Sequence, residues 1–442
     1  MKIGSIVLVI VMCVCTFCYA QEMDELDDLD AEFAALDAEL DVEFEQQDEQ
    51  MELAFQQVKL AVDRAYKGLT KKIEVNWGED VALPEKAKWT TYNEDFSTRA
   101  SFDFELGVYR VETVVTDDVA NSLLQLKHMA DQIAKSSPAQ LQQQDVLYQS
   151  VSDELEMQVI DTPQLAGLLA SAQLATHHVE VKKVLPDNVS NLIEKIEFKQ
   201  VKQTPAHKID DGTKPTDNGD NVTTLVVKTV AMKPSIELQE NNKDGRKKLV
   251  LTIPFVNEYH QILMDTLLDT VNELARQYRI DVSLIMAIIE TESSFNPMAT
   301  SPIPAFGLMQ LVPNTGAVDA YHFIYGEKKV VTPKYLYNQV NNLRLGTAYL
   351  HLLSNRYLGR IDDPQSRLYC ILASYNIGIG NLAHTLIGRK SIRQAVKKAN
   401  TMQPSQLYDF LHAKLPAEET RNYLVKVLRR KSKYSYLDGT KN

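Results

Sequence analysis

A single carboxylate at the end of an apolar helix, followed by a glycine turn, is the part of this sequence best suited to chemistry. The residues from Asp281 to Glu292 predict a helix that Asp281 caps at its N-terminus. Isoleucines recur on it at steps of three and four residues, and Glu292 continues their face. Because a carboxyl group on an apolar face is hard to ionise, we expect the pKa of Glu292 to rise toward the range of a general acid. Glu290 lies about 200° round the helix and is expected to point elsewhere.

The sequence after this helix lacks the second carboxylate that a glycosidase normally uses. No Asp or Glu occurs between Ser293 and Val318. One carboxylate is sufficient where the substrate supplies the nucleophile. The nearby run Gly307-Leu308-Met309-Gln310 predicts a tight turn at which glycine lets the backbone approach a ligand closely.

Four motifs in a fixed order extend this pattern along the chain. They are Glu292-Ser293 with Phe295-Asn296-Pro297, Ala305-Phe306-Gly307-Leu308-Met309-Gln310, Tyr375-Asn376-Ile377-Gly378-Ile379-Gly380 and Glu419-Thr420-Arg421-Asn422-Tyr423. Together they resemble the lytic murein transglycosylase family, whose catalytic domain is goose-lysozyme-like. The resemblance covers residues 256–434 and includes the segment 341–350. Residues 77–115 also resemble the N-terminal domain of a membrane-bound branch of that family.

The resemblance implies a catalytic Glu292, with no metal and no cofactor. The implied substrate-binding residues lie in or beside the motifs; they are Ser301, Gly307, Met309, Gln310, Tyr375, Asn376 and Tyr423. Of these, Ser301 and Gln310 are expected to hydrogen-bond sugar or acetamide groups, and Tyr423 to hydrogen-bond near Glu292. The alternative for Tyr375 and Tyr423 is core packing with a satisfied hydroxyl group. The alternative for Met309 is likewise a place in the core.

The function that the resemblance implies is cleavage of the β-1,4 bond between N-acetylmuramic acid and N-acetylglucosamine in peptidoglycan. The expected products carry 1,6-anhydromuramoyl ends, and the expected role is remodelling or turnover of the cell wall. Two alternatives are a hydrolytic muramidase acting on the same bond and a non-catalytic wall-binding protein. The sequence departs from the family pattern at Ile303, between two prolines, and at Ser374 and Ile377.

Length and composition predict several domains in an exported protein. The chain has 442 residues and a net charge of −12. Residues 1–20 read as a signal peptide cleaved after Ala20, with a retained N-terminal anchor as the alternative, and 21–52 as an acidic tether or amphipathic helix. Residues 53–255 predict an α+β domain, and 256–442 an all-α lysozyme-like catalytic domain. The acidic segment has the wrong sign for nucleic acid. It is a candidate for binding a protein partner.

The expected location is the periplasm of a Gram-negative bacterium. No cysteine in the first 20 residues follows the small residue that a lipid-attachment motif needs, so a soluble protein is favoured; the alternative is association with the outer membrane. The one cysteine after residue 20, Cys370, lies in an apolar helical run and is expected to be a buried hydrophobic residue.

Local patterns complete the prediction. Strands are expected on both sides of Gly107 as a hairpin, and again at residues 223–232 and 248–255. Helices are expected at residues 53–69 and 119–133, and through most of the chain after Pro254.

Overall fold

The computed structural model describes residues 49–116, 118–136, 138–159, 234–241 and 243–439. The predicted signal peptide, most of the acidic segment and the predicted strand at residues 223–232 lie outside these ranges. The described strands are β1 (Lys88–Tyr92), β2 (Thr98–Asp103), β3 (Val108–Val114), β4 (Ser235–Glu240) and β5 (Lys247–Pro254).

The helices of the first part of the chain flank these strands, and the remaining helices follow β5 without further strands in the described residues. The first four are α1 (Glu49–Trp77), α2 (Val119–Lys135), α3 (Pro138–Gln144) and α4 (Val146–Val159). The next five are α5 (Tyr259–Tyr278), α6 (Val282–Ser293), α7 (Gly316–Tyr325), α8 (Pro333–Tyr337) and α9 (Gln339–His351). The last five are α10 (Pro364–Ile377), α11 (Ile379–Ile387), α12 (Ile392–Asn400), α13 (Pro404–Lys414) and α14 (Glu418–Lys433). A π-helical turn, Leu352–Tyr357, and a 3₁₀ turn, Ser435–Leu437, complete the elements.

The five strands form one antiparallel sheet in the order β1-β2-β3-β5-β4. The predicted hairpin is confirmed: Gly107, at φ +66°, joins β2 and β3, and Asp103 pairs with Val108 across it. Helix α2 packs on the sheet and buries its apolar stripe there. Asp118 caps this helix by accepting hydrogen bonds from two backbone N–H groups of its first turn. The prediction of an α+β region followed by an all-α region is therefore confirmed.

The chain divides into two compact units whose limits fall within helices. The larger unit contains Ala54–Thr347 and the C-terminal residues from Arg430, and the smaller unit contains Ala348–Arg429. In the larger unit the sheet shares a body with α5, α6 and the loop that follows α6. In the smaller unit α10 packs against the π-helical turn, α11 and α13, and α11 packs against α12. Cys370 is fully buried within α10, as predicted.

No described helix is by itself long and apolar enough to cross a membrane. Only α10 and α11 together, bent by 118° at their junction, reach the length and composition of a span.

Candidate functional site

Glu292 lies in the last turn of α6, where the sequence placed it, and its side chain is buried with 6% of the residue exposed. Helix α6 runs from Val282 to Ser293 as predicted and buries nearly every side chain. It stops because Ser294 takes a left-handed conformation at φ +50°. The Ser293 hydroxyl donates to the Leu308 carbonyl at 2.8 Å, which ties the helix end to the glycine turn.

The other carboxylate of this helix, Glu290, points away from the apolar face as predicted and is fully engaged. Its carboxylate accepts a hydrogen bond of 2.6 Å from the Tyr434 hydroxyl and two of 3.1 Å from Lys433, and Arg430 approaches to 3.4 Å. Burial raises the pKa of Glu290, but Tyr434, Lys433 and Arg430 together outweigh it and hold the pKa below its ordinary value. Glu290 is thus an ionised anchor for the C-terminal segment.

The N-terminus of α6 is capped differently from the prediction. Asp281 occupies the N-cap position, but its carboxylate pairs with Lys431 at 2.9 Å and accepts no capping hydrogen bond. The cap comes instead from Asp438, which accepts from the Ser283 N–H at 2.9 Å and from the Ser283 hydroxyl at 2.6 Å. The capping hydrogen bonds of α6 therefore come from a residue more than 150 positions along the chain.

The glycine turn is organised around a buried asparagine, Asn342, at the start of α9. Its side-chain amide donates to the carbonyls of Phe306 and Leu336 at 2.8 and 2.9 Å, and its oxygen accepts from the Met309 N–H at 2.8 Å. Gly307 has φ +75°, and a Cβ there would stand 2.4 Å from the Asn342 amide and the Leu336 carbonyl. Glycine is therefore required twice, for conformation and for space.

Two neighbours of Gly307 in the predicted site are also fixed by the loop itself. Met309 is fully buried, and its sulfur lies where a Cβ on Gly346 would stand, so the side chain occupies a core position. Gln310 donates to the carbonyls of Ala299 and Gly307 at 3.0 and 3.1 Å. Among the described residues no donor reaches the buried Gln310 side-chain oxygen.

Ser301 lies in the loop between α6 and the glycine turn and is 7% exposed. Its hydroxyl donates to the carbonyl of Ile303, the residue between the two prolines. Ile303 itself is 75% exposed. The unusual loop therefore uses the Ser301 hydroxyl hydrogen internally, and the oxygen remains available as an acceptor.

Asn296 of the first motif joins this loop to the α+β region. Its side chain is buried and donates to the Lys86 carbonyl at 3.1 Å, near the turn before β1, while its oxygen accepts from the Met298 N–H at 3.0 Å. Phe295, at φ +67°, is fully buried beside it. The Lys86 carbonyl thus fixes the position of the motif that follows Glu292.

A second link between the α+β region and the motif loop is aromatic. The ring of Tyr148 in α4 lies 5.6 Å from that of Tyr337, whose hydroxyl hydrogen-bonds Thr300 at 2.5 Å. Tyr337 also packs edge-on against Phe306, at 5.5 Å between ring centres. Near this stack, burial raises the pKa of Asp145, the residue before α4, to about 7, although backbone N–H groups donate to it.

The remaining predicted site residues lie in the smaller unit. Tyr375 and Asn376 stand in the last turn of α10, and the Tyr375 ring lies 5.7 Å from that of Tyr349. Tyr423 lies in α14 and is buried, with 5% exposed. Ser374 is fully buried next to Tyr375. The substrate-binding roles assigned to these residues from the sequence remain predictions.

The positions of Glu292 and of the glycine turn were predicted from the sequence, but the residues that hold them were missed. Asn342, Asp438 and the partners of Glu290 were not assigned a role. The role of Asn342 could have been suspected from the sequence, because it is a polar residue at the start of a helix within a segment that already fitted the family pattern. In the described residues no group of three His, Cys, Asp or Glu side chains is placed to hold a metal ion.

Two family models match the chain. The model described as "Transglycosylase SLT domain" matches residues 269–397, which include Glu292 and the glycine turn. The model described as "Membrane-bound lytic murein transglycosylase C, N-terminal domain" matches residues 53–190.

Several individual proteins that are similar to this chain carry the name of the second family model. A membrane-bound lytic murein transglycosylase C of Serratia proteamaculans is 30% identical over 363 residues, which are 82% of this chain and 86% of the relative. Proteins of the same name from Haemophilus influenzae and Histophilus somni are 34% and 35% identical over 43% and 45% of the chain, and the matches span about half of each relative.

Solved structures similar to parts of the chain include two lytic transglycosylases. The Slt enzyme of Pseudomonas aeruginosa is 25% identical over 38% of this chain and 24% of its own, with a TM-score of 0.27. The soluble enzyme of Escherichia coli is 23% identical over 41% of this chain and 29% of its own, with a TM-score of 0.29.

Proposed function

Because the chain belongs to the family of membrane-bound lytic murein transglycosylase C, a family of peptidoglycan lytic transglycosylases, we propose that it cleaves the β-1,4 bond between N-acetylmuramic acid and N-acetylglucosamine and leaves 1,6-anhydromuramoyl ends. The observation that carries this product assignment is the inventory of carboxylates around Glu292. The loop after Ser293 has no acidic residue as far as Val318, and Glu290 is already bound by Tyr434 and two cations. A water-activating second carboxylate is therefore missing from the helix and from the loop.

In the proposed reaction Glu292 acts twice. As a carboxylic acid it donates its proton to the glycosidic oxygen, and the bond from that oxygen to the muramoyl C1 breaks. The acetamide of the substrate stabilises the positive charge at C1. The Glu292 carboxylate then accepts the proton of the muramoyl C6 hydroxyl, whose oxygen bonds to C1 and closes the 1,6-anhydro ring. The proton returns to Glu292, and no water is consumed.

The other site residues are proposed to orient the sugar. The Gln310 side-chain oxygen and the Ser301 oxygen act as acceptors for hydroxyl or acetamide N–H groups, and Gly307 lets the backbone come close. Tyr375 and Asn376 are proposed to face the scissile sugar, and Tyr423 to hydrogen-bond near Glu292. Met309 supports the turn from inside, and its packing against Gly346 argues for the core alternative.

The proposed setting is the periplasm of a Gram-negative cell, in remodelling or turnover of the wall. The names of the relatives describe membrane-bound enzymes, which supports the outer-membrane-associated alternative over a freely soluble protein. Residues 21–52 are proposed to act as an acidic tether or to bind a protein partner. Removal of residues 21–52 should leave the cleavage of purified sacculi unchanged, and loss of cleavage by a folded truncated protein would contradict the tether role.

The decisive test is the chemistry of the product. Purified sacculi digested in ¹⁸O-labelled water should yield muropeptides with 1,6-anhydro ends and no incorporated label, as read by mass spectrometry. Reducing muramoyl ends that carry ¹⁸O would assign a hydrolytic muramidase instead. Absence of any cleavage, with binding to sacculi retained, would assign a wall-binding protein.

A further inference from the structure

Helices α7 and α8 present a group of aromatic side chains at the surface of the larger unit. We call Tyr321 and Tyr325 of α7, with Tyr335 of α8, the aromatic patch. Tyr325 is 45% exposed, although large aromatic rings are usually covered more fully. None of these three residues belongs to the predicted catalytic or substrate-binding set.

The rings of the aromatic patch are held in fixed positions. Tyr321 lies 4.5 Å from Tyr325 and 6.0 Å from Tyr335, between ring centres, in tilted and edge-on arrangements. The Tyr325 hydroxyl accepts a hydrogen bond from Arg344 at 3.4 Å. Burial raises the pKa of Tyr325, but hydrogen bonds with Tyr335 and Arg344 keep it below the ordinary value. The patch is therefore a pre-formed, shallow surface whose aromatic side chains lose little freedom when a ligand binds.

Positive charge accompanies the rings. The Lys329 ammonium lies 5.9 Å from the centre of the Tyr321 ring, and Arg344 bonds Tyr325. Lys328 and Lys334 are exposed within the same stretch, where Glu327 is the only acid between α7 and α8. The surface beside the rings is therefore locally basic.

We propose that the aromatic patch is a second binding surface for murein, which holds a glycan strand by its sugar rings and stem peptides while another part of the strand is cleaved. The faces of pyranose rings carry weakly positive C–H groups that suit the negative faces of aromatic rings. Stem peptides end in carboxylates that suit lysine and arginine. This inference rests on the proposed function, because it names a further contact with the same polymer.

Murein is favoured over a lipid surface by the shape of the patch. Its rings are half covered and locked against one another, and the Tyr325 hydroxyl is bound to Arg344. Insertion among acyl chains favours protruding apolar groups on a helix with a large apolar face. A surface of packed rings beside cationic side chains suits a polymer that lies across it.

The test compares binding of full-length Glu292→Gln protein to purified sacculi by co-sedimentation, so that cleavage does not alter the polymer. We expect Tyr321→Ala/Tyr325→Ala to weaken binding about ten-fold, since truncating central aromatic anchors commonly has effects of this size. Tyr436→Ala is the matched control, because Tyr436 is also exposed, at 59%, and lies outside the patch; it should bind like the parent.

A second pair of variants tests the charge. Lys328→Ala/Lys329→Ala should weaken binding at low salt, and the difference from the parent should shrink as salt is raised, because exposed charges are screened. Lys397→Ala/Lys398→Ala removes two exposed lysines of α12 and should have a smaller effect. Equal losses for both lysine pairs would contradict a specific role for the patch.

Two further outcomes keep this inference separate from the proposed function. In a wild-type background the patch variants should still form 1,6-anhydro ends from short soluble strands at the parent rate. Unchanged sacculus binding by Tyr321→Ala/Tyr325→Ala would overturn the patch and leave the catalytic proposal standing. If those variants instead lose flotation with anionic phospholipid vesicles while sacculus binding is kept, the patch is a membrane surface and the inference is wrong.

Discussion

Glu290 and Glu292 stand two residues apart on one helix, and the structure gives them different surroundings. The 3.6-residue period was enough to predict that they point in different directions, since this depends only on local geometry. The partners of Glu290 could not be predicted, because Arg430, Lys433 and Tyr434 lie some 140 residues further along the chain. Local periodicity predicts which face of the helix a residue occupies. It does not predict which residues from distant parts of the chain pack against that face.

At the residue scale we predict that Glu290→Gln lowers stability and leaves the proposed chemistry in place. Removing one partner of a buried, charged cluster leaves Arg430 and Lys433 uncompensated, which should cost about 2–3 kcal/mol, with Lys433 half exposed and contributing less. Urea unfolding at pH 7 measures the loss.

The pH dependence of the stability of Glu290→Gln is the control for this prediction. The folded-state pKa of Glu290 is lowered from 4.5, so its stabilising contribution is present above about pH 4.5 and is lost as the pH falls through the lower folded value. The difference between wild type and Glu290→Gln should therefore narrow in acid. A difference that stays constant from pH 7 to pH 3 would contradict an ionised anchor.

We also predict that Gly307→Ala is far more damaging than Gly388→Ala. Both glycines have nearly the same φ, +75° and +76°, so both variants bear the left-handed strain of about 1–2 kcal/mol. Only at Gly307 would the new Cβ meet Asn342 and the Leu336 carbonyl at 2.4 Å, whereas nothing lies within 4 Å at Gly388. Thermal unfolding of the two variants isolates the effect of the close contact, and equal shifts in Tm would contradict it.

At the scale of elements, the two ends of α6 show which features of a helix can be predicted from the sequence and which cannot. Both termini of the helix were predicted correctly, because the apolar period stops where the polar Ser293 and Ser294 begin. Asp281 holds the predicted N-cap position, but its carboxylate pairs with Lys431 and the hydrogen bonds to Ser283 are made by Asp438. Capping rules assume a side chain with no stronger partner, and tertiary ion pairs break that assumption.

The loop after α6 depends on the turn before β1 through Asn296. We predict that Asn296→Asp destabilises the protein by about 1–3 kcal/mol, because the donor to the Lys86 carbonyl becomes an acceptor and the two oxygens repel. Cleavage of sacculi should fall with it, since the loop carries the residues beside Glu292. Asn121→Asp is the control, being exposed at the start of α2 and expected to be neutral. If Asn296→Asp were as stable as wild type, the contact between Asn296 and the Lys86 carbonyl would not stabilise the protein.

At the scale of the whole molecule, the compact units and the predicted domains divide the chain differently. The sequence placed a boundary at residues 255 and 256, where strand-like alternation gives way to helical periodicity. The larger unit takes in the sheet together with α5, α6 and the glycine turn. The division into domains at 53–255 and 256–442 remains a proposal. Contacts such as Asn296 with Lys86 and Tyr337 with Tyr148 could not be predicted, because they join segments more than 180 residues apart.

The buried Asp145 makes a prediction for the stability of this larger unit. Its folded-state pKa is raised from 3.8 to about 7, so the folded protein holds a proton that the unfolded chain releases at lower pH. Stability should therefore fall as the pH rises from about 4 to about 7, by at most about 1.4 kcal/mol per pH unit from this group.

The variant Asp145→Asn should remove that part of the pH dependence while keeping a capping side chain before α4. Asp118→Asn, the same change at an exposed capping aspartate of α2, is measured beside it. Chemical denaturation at several pH values compares the slopes. Parallel curves for wild type and Asp145→Asn would contradict a protonated Asp145.

The most direct test of the central claim is the rate at which Glu292→Gln forms 1,6-anhydro ends from purified sacculi, with Glu290→Gln measured beside it. An amide is nearly the same size as the carboxyl group but cannot donate and then accept the proton. General acid–base catalysis contributes about 10²–10⁴-fold, and here one group serves both steps, so the rate should fall by at least that factor with folding and sacculus binding intact. Glu290→Gln, compared at a temperature where it is fully folded, should keep a rate near that of wild type. Anhydro product formed by Glu292→Gln at a rate similar to wild type would contradict the account.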